Sequence, residues 1–189
     1  EPIMITMIGF IFFKEKISPI VFFLGVVAFL GVALTVGVSA LENVSFFGCF
    51  LVFLSTIVVS FWVQLSKKVL TKINSNYYTA LTIQLGTLFA LPIMLFLVKS
   101  WEIHYSLKGL IALLYLVVGC SIGAGWFWNK GLERSEASKS GVFLALEPVF
   151  GILLAVLVLG EKLNFLSIIG IILVILSAAI CMILPKQKS

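Results

Sequence analysis

Residues Ser140–Leu163 read SGVFLALEPVFGILLAVLVLGEKL. From Ser140 to Leu159 the stretch is almost wholly apolar and about 20 residues long, the length an α-helix needs to cross the hydrocarbon of a bilayer. One carboxylate, Glu147, and one proline, Pro148, interrupt it. The opening of the chain, EPIMITMIGFIFFKEK, repeats these landmarks: Glu1-Pro2 matches Glu147-Pro148, and Glu15-Lys16 matches Glu161-Lys162. Both pairs stand 146 positions apart (147 − 1 and 161 − 15), so a duplicated architecture is expected, broken near the start of its first copy.

Composition places the chain in the membrane. It is 61% hydrophobic and 11% charged, with a mean hydropathy of +1.21. Soluble domains use about 45–50% apolar and ~25% charged residues. The net charge of +5 comes from lysines and arginines that fall almost entirely between apolar runs, where they orient spans. No basic stripe is left for nucleic acid, which is not expected as a partner. Cys49, Cys120 and Cys181 each sit inside an apolar run and read as small packing residues. There is no aspartate, and the single histidine, His104, lies in a polar connection. A zinc site or a Ser-His-Asp arrangement therefore cannot be assembled, and neither enzymatic activity, a metal nor a cofactor is expected. Glu1 is preceded by no methionine or basic segment, so the opening run is no signal peptide and reads as a break within a longer protein.

Apolar runs cover about Ile3–Phe13, Ile20–Val38, Phe46–Leu65, Tyr78–Val98, Leu107–Trp128, Ser140–Leu159 and Phe165–Leu184. The fold class expected is an all-α integral membrane protein: a polytopic helical bundle with about six complete spans and one partial. Helices are required because an open strand edge in lipid leaves backbone groups unpaired. Counted alternately, the connections give ten Lys and Arg to one side and three (Lys99, Lys108, Lys162) to the other. By the positive-inside rule the richer side, with the C-terminus, is cytoplasmic. Asn43-Val44-Ser45 matches a glycosylation sequon on the other side but sits tight against a span, where coincidence is the plainer reading. The helix bearing Glu1-Pro2 then runs inward and the one bearing Glu147-Pro148 outward. An odd number of spans per copy makes this an inverted repeat, the arrangement of many secondary transporters.

The stretch SEASKSGVFLALEPVFGILLAVLVLGEKLNFLSIIGIILVIL, with its Pro-bearing helix, G-E turn and final Gly-bearing helix, resembles the EamA-type repeat of the drug/metabolite transporter superfamily. On that resemblance residues 1–38 correspond to the C-terminal end of a first repeat, 46–184 to a complete second repeat and 185–189 to a cytoplasmic tail. The family implies ten helices with both termini cytoplasmic and a central cavity where the halves meet. This chain lacks the first three helices and part of the fourth.

Glu147 is the sharpest candidate site residue. An acid at a helix centre costs about 2.5–3.5 kcal/mol on the insertion scale, so it seeks a wet or paired setting. It is either a proton-titrating or cation-contacting acid of a transport cavity, or a buried acid bonded to a neighbouring helix. Pro148 has no N–H for the carbonyl of Leu144 and should kink the helix, while Ser140, Leu144, Glu147 and Gly151 share a face. Thr56, Ser60 and Gln64 form a polar stripe that either lines a cavity or holds helices together. Tyr115, Gly119, Gly123 and Trp126 fall near one helical face, either a slot for a flat substrate or a glycine notch for a neighbouring backbone. Gln84 and Thr87 form a weaker pair. Glu15 and Glu161 read as caps of their own helix hairpins.

The resemblance implies a secondary transporter in the plasma membrane that exports a small metabolite or amphipathic compound by alternating access. Its expected partners are the lipid bilayer, a small-molecule substrate, coupling protons and a second copy as a homodimer. The alternative is a non-transporting bundle that serves as an accessory or assembly subunit.

Overall fold

The computed structural model describes residues 1–36, 45–98, 106–160 and 162–185; His104, Glu161 and most of the Asn43-Val44-Ser45 sequon lie outside them. The described residues form seven helices and no strand. These are α1 (Pro2–Phe13), α2 (Pro19–Val36), α3 (Phe46–Leu70), α4 (Ser75–Leu97), α5 (Leu107–Arg134), α6 (Ala137–Leu159) and α7 (Phe165–Ile183). Five of them, α3 to α7, are long and apolar enough to cross a membrane. The chain is a polytopic helical membrane protein. The partial span expected at the start is α1, with 12 residues. The expected span Ile20–Val38 is described as the 18-residue α2, and the residues that follow it, 37–44, lie outside the described set.

Local chemistry sets the helix starts. Asn74 Oδ1 accepts from the backbone N–H groups of Asn76 (2.7 Å) and Tyr77 (3.3 Å) to open α4. Ser106 Oγ accepts from Gly109 (3.0 Å) to open α5, and Asn164 Oδ1 accepts from Ser167 (2.6 Å) to open α7. Each such cap satisfies an N–H that has no partner within the helix, worth about 1 kcal/mol. Two lysines close helix ends in the complementary way. Lys67 Nζ donates to the carbonyls of Leu132 (2.8 Å) and Glu133 (2.9 Å), near the end of α5. Lys139 Nζ donates to those of Leu184 (2.7 Å) and Pro185 (3.0 Å), just past α7.

The chain divides into two compact units, Glu1–Leu65 with Ser135–Ser189, and Ser66–Arg134. The first is organised by the antiparallel crossing of α2 and α7. A side chain at Gly31 would meet Val174 and the Gly170 carbonyl, and one at Gly170 would meet Gly31 and Thr35, so the contact partner falls along α7 as one climbs α2. Ser167 Oγ donates to the Thr35 carbonyl at 3.1 Å further along the same seam. Buried positions on α2 are Val21, Leu24, Gly25, Ala28, Gly31 and Thr35. Moved by 146 residues they fall on Ser167, Gly170, Ile171, Val174, Ser177 and Cys181, all buried on α7. The offset that relates the motifs thus also relates the enclosed faces of the two central helices.

In the second unit α4 packs against α5. Ser66 and Tyr78 share a buried hydroxyl–hydroxyl bond of 2.6 Å, Asn129 Nδ2 donates to Thr79 Oγ1 at 2.9 Å, and Trp126 Nε1 donates to Asn76 Oδ1 at 2.7 Å. The remaining faces of α4 and α5 expose Leu, Ile and Phe, which suits lipid contact.

The Glu147 cavity as candidate functional site

Helix α6 is not continuous. It runs from Ala137 to Leu144, turns at Ala145, whose N–H reaches back to the Val142 carbonyl at 3.2 Å, and resumes from Leu146. Pro148 explains the interruption, since it has no N–H to offer the Leu144 carbonyl and its ring crowds that carbonyl. The helix also starts earlier than the apolar run suggests, because Ala137, Ser138 and Lys139 are buried and continue it back from Ser140. Ser140 exchanges a 2.7 Å bond with Ser135 and donates to the Glu136 carbonyl at 3.0 Å.

Directly at the turn lies a cavity of about 290 Å³, lined by Glu147, Pro148, Leu144 and Ala145 from α6 and by Glu1 and Pro2, with Phe29 and Val32 of α2. Its lining therefore contains both Glu-Pro pairs that stand 146 positions apart. Glu147 is exposed to this space rather than enclosed. Gly151, one turn on, has open space where a side chain would stand.

The stripe on α3 divides. Thr56 Oγ1 donates to the Val52 carbonyl (2.9 Å) and Ser60 Oγ to that of Thr56 (2.7 Å), so both hydroxyls are satisfied within their own helix. Gln64 is buried and its Nε2 donates to the Ile5 carbonyl (3.2 Å) and to Glu15 Oε2 (2.8 Å). Its amide is engaged with α1 and the turn after it.

Glu15 departs from the sequence expectation. It was expected to cap its own hairpin, but Oε1 accepts from the backbone N–H of Ser138 at 3.3 Å and from Ser138 Oγ at 3.1 Å, in the first turn of α6. The reason is the turn that ends α1. Lys14 adopts left-handed backbone and the Glu15 N–H bonds the Gly9 carbonyl at 3.0 Å, so the chain folds back before α2 begins at Pro19. Glu161, its counterpart at the repeat offset, lies outside the described residues.

In the second unit Trp126 lines a cavity of about 320 Å³ together with Asn76, Thr79, Ile83, Gln84 and Ile122. Tyr115 does not line it and is exposed. Tyr115–Ala124 winds with i→i+5 bonds, each residue advancing less around the axis than in an α-helix of 3.6 residues per turn, so residues eleven apart lose their common face. A side chain at Gly119 would touch the Tyr115 ring at 3.4 Å and one at Gly123 the Val118 carbonyl at 3.2 Å. These glycines therefore face atoms of their own helix. Among the described residues no group of three or more His, Cys, Asp or Glu could hold a metal ion.

Residues 46–183 match the EamA-like transporter family. A protein of Haemophilus influenzae named an uncharacterized transporter is 44% identical over 127 residues, 67% of this chain and 75% of that relative. An uncharacterized transporter of Archaeoglobus fulgidus is 28% identical over 181 residues, 93% of this chain and 62% of the relative. A putative permease-like protein of Bacillus subtilis, YdzE, is 36% identical over 75 residues, 40% of this chain and 95% of the relative. The chain spans less than two thirds of the Archaeoglobus relative's length. No solved structure matches it. With the family model matched over most of its length, the chain belongs to the EamA-like transporter family.

Proposed function

We infer that this chain works as part of a secondary transporter of the plasma membrane that exports a small metabolite or amphipathic compound by alternating access. Residues 1–38 are the end of one inverted repeat, 46–184 are the other, and the C-terminal tail is cytoplasmic. The observation that carries this reading is a cavity whose lining includes both Glu-Pro pairs. In inverted-repeat transporters the substrate and coupling-ion sites lie between the repeats, near the midplane, at broken helices. The interruption of α6 at Ala145 provides such a break. The matched buried faces of α2 and α7 support a pseudo-two-fold axis through their crossing.

Glu147 is the acid of this site, binding a coupling proton or a cationic group of the substrate. Its exposure to the cavity favours that role over an acid bonded into a neighbouring helix. Thr56, Ser60 and Gln64 serve packing, and Trp126 with Gln84 offers an aromatic and amide surface in the second unit. A homodimer would use the exposed apolar faces.

The test compares metabolites released into the medium by cells producing the native protein, the Glu147→Gln variant or neither. Release of a compound dependent on the native protein and lost in the variant is expected. Equal profiles in all three cultures would overturn the transport reading in favour of the accessory-subunit alternative.

A further inference from the structure

Four hydrogen bonds gather at one end of the first unit and join residues of 1–36 to residues of 46–185. Gln64 Nε2 donates to the Ile5 carbonyl and to Glu15 Oε2, while the Ser138 N–H and hydroxyl donate to Glu15 Oε1. The Glu15 carboxylate takes part in three of them and uses both of its oxygens. Lys14, Lys16 and Lys139 mark this as the lysine-rich end.

The bonds at Ser138 are unusual in origin. A helix start is ordinarily satisfied by the side chain at its cap position, yet Glu136, which stands there, makes no capping bond. The first turn of α6 relies instead on a residue 123 positions away. The segment so held, Ala137–Leu144, is short and bounded by the turn at Ala145. It packs closely on α1, where a side chain at Gly141 would meet Ile5 at 3.3 Å. Lys139 ties the same segment to the carbonyls of Leu184 and Pro185, but both partners belong to residues 46–185, so that tie would travel with α6. Among the described residues, Glu15 bonds the segment to 1–36 at this end through Ser138, and Gln64 holds the other oxygen of the same carboxylate. Beyond the segment, toward the other side, lies the Glu147 cavity.

We propose that Glu15 is the latch of an inner gate: it holds the first half of α6 against α1, and its release opens the Glu147 cavity to the lysine-rich side of the membrane. Glu15 acts as a positioning residue and touches no substrate. The proposal rests on the alternating-access reading above. The chemistry suits a latch because all of its donors are neutral, and water that enters as the segments part can replace each bond. Opening then exchanges hydrogen bonds instead of abandoning them, which keeps the two states close in energy. A charged carboxylate against the positive end of a helix favours the closed form without fixing it irreversibly.

The test uses the native protein with Cys49, Cys120 and Cys181 replaced by serine or alanine and one reporter added at a time. Val142→Cys places a thiol at a fully enclosed position between the latch and the cavity, and Leu144→Cys places one on the cavity wall. A membrane-impermeant thiol reagent is applied to each face of sealed vesicles. Glu15→Ala should raise Val142→Cys labelling from the lysine-rich side by about tenfold, since minor conformers populated at roughly 0.1–10% can rise by that factor. Labelling of Leu144→Cys from the opposite side should fall. Unchanged labelling at Val142→Cys overturns the latch, and so does a rise at both reporters from both sides, which is general loosening. A rise at Val142→Cys with no change at Leu144→Cys keeps the gate and refutes the alternation on which the functional reading depends. Should Glu15→Ala not yield folded protein, Ser138→Ala and Gln64→Leu, which remove donors and keep the carboxylate, read the same outcomes in smaller steps.

Discussion

Gly170 of α7 lies so close to Gly31 of α2 that the Gly31 carbonyl oxygen occupies the space a side chain at position 170 would need, with Thr35 N 2.8 Å from the same point. Both obstacles are backbone atoms of α2 and cannot swing aside. Gly170→Ala should therefore force the helices apart, at a cost of about 1–3 kcal/mol typical of overpacking. Gly151, with open space around it, tolerates the same change without loss. Thermal unfolding in detergent should show a lower midpoint for Gly170→Ala alone, and equal midpoints would mean that the crossing is looser than the close approach implies.

Glu147 is exposed and lines its cavity. Glu147→Gln should consequently insert and accumulate like the native protein while compound release drops by at least about tenfold, the factor that roughly 1.4 kcal/mol of lost interaction produces. If the acid carries the coupling proton, release by the native protein varies with external pH and release by the variant does not. Native-level release at every pH would assign Glu147 to structure.

Lys139 is buried and donates to two carbonyls just past the end of α7, with Glu136 at 3.8 Å. Lys139→Met keeps the aliphatic stem and removes the donors. Hydrogen bonds from charged groups contribute about 1.5–3 kcal/mol, so a destabilisation of that order is expected, with Lys139→Arg partly restoring it. Denaturant titration of the three proteins decides, and an unchanged midpoint for Lys139→Met would show that water closes the end of α7 equally well.

Membrane orientation is tested by thiols at two exposed lysines. Lys72→Cys precedes α4 and Lys108→Cys lies in the first turn of α5. The ten-to-three bias predicts that an impermeant reagent reaches the first from the cytoplasm and the second from outside. Labelling of both from one face would contradict the inverted topology.

Much of this protein is legible without coordinates. Spans follow from unbroken apolar runs, because a bilayer leaves the backbone no partner but itself, and five helices appear where those runs lie. The interruption of α6 follows from a missing N–H at Pro148, a purely local cause. The polar stripe on α3 was visible too, but its use was not. Thr56 and Ser60 close bonds within their own turn while Gln64 crosses to α1, and helical spacing is the same in both cases.

What the sequence by itself determined is whatever depends on one helix and its solvent, the class and the span positions, together with the family its motifs resemble. What only the tertiary structure decided depends on which helices meet. It brought Glu15 to the start of α6 across 123 residues, set both Glu-Pro pairs around one cavity, and removed Tyr115 from the face of Trp126 by widening the turns between them. A repeat fixes that two segments are equivalent, whereas the contacts between equivalents depend on close approach at particular residues such as Gly31 and Gly170, and periodicity carries no record of those distances.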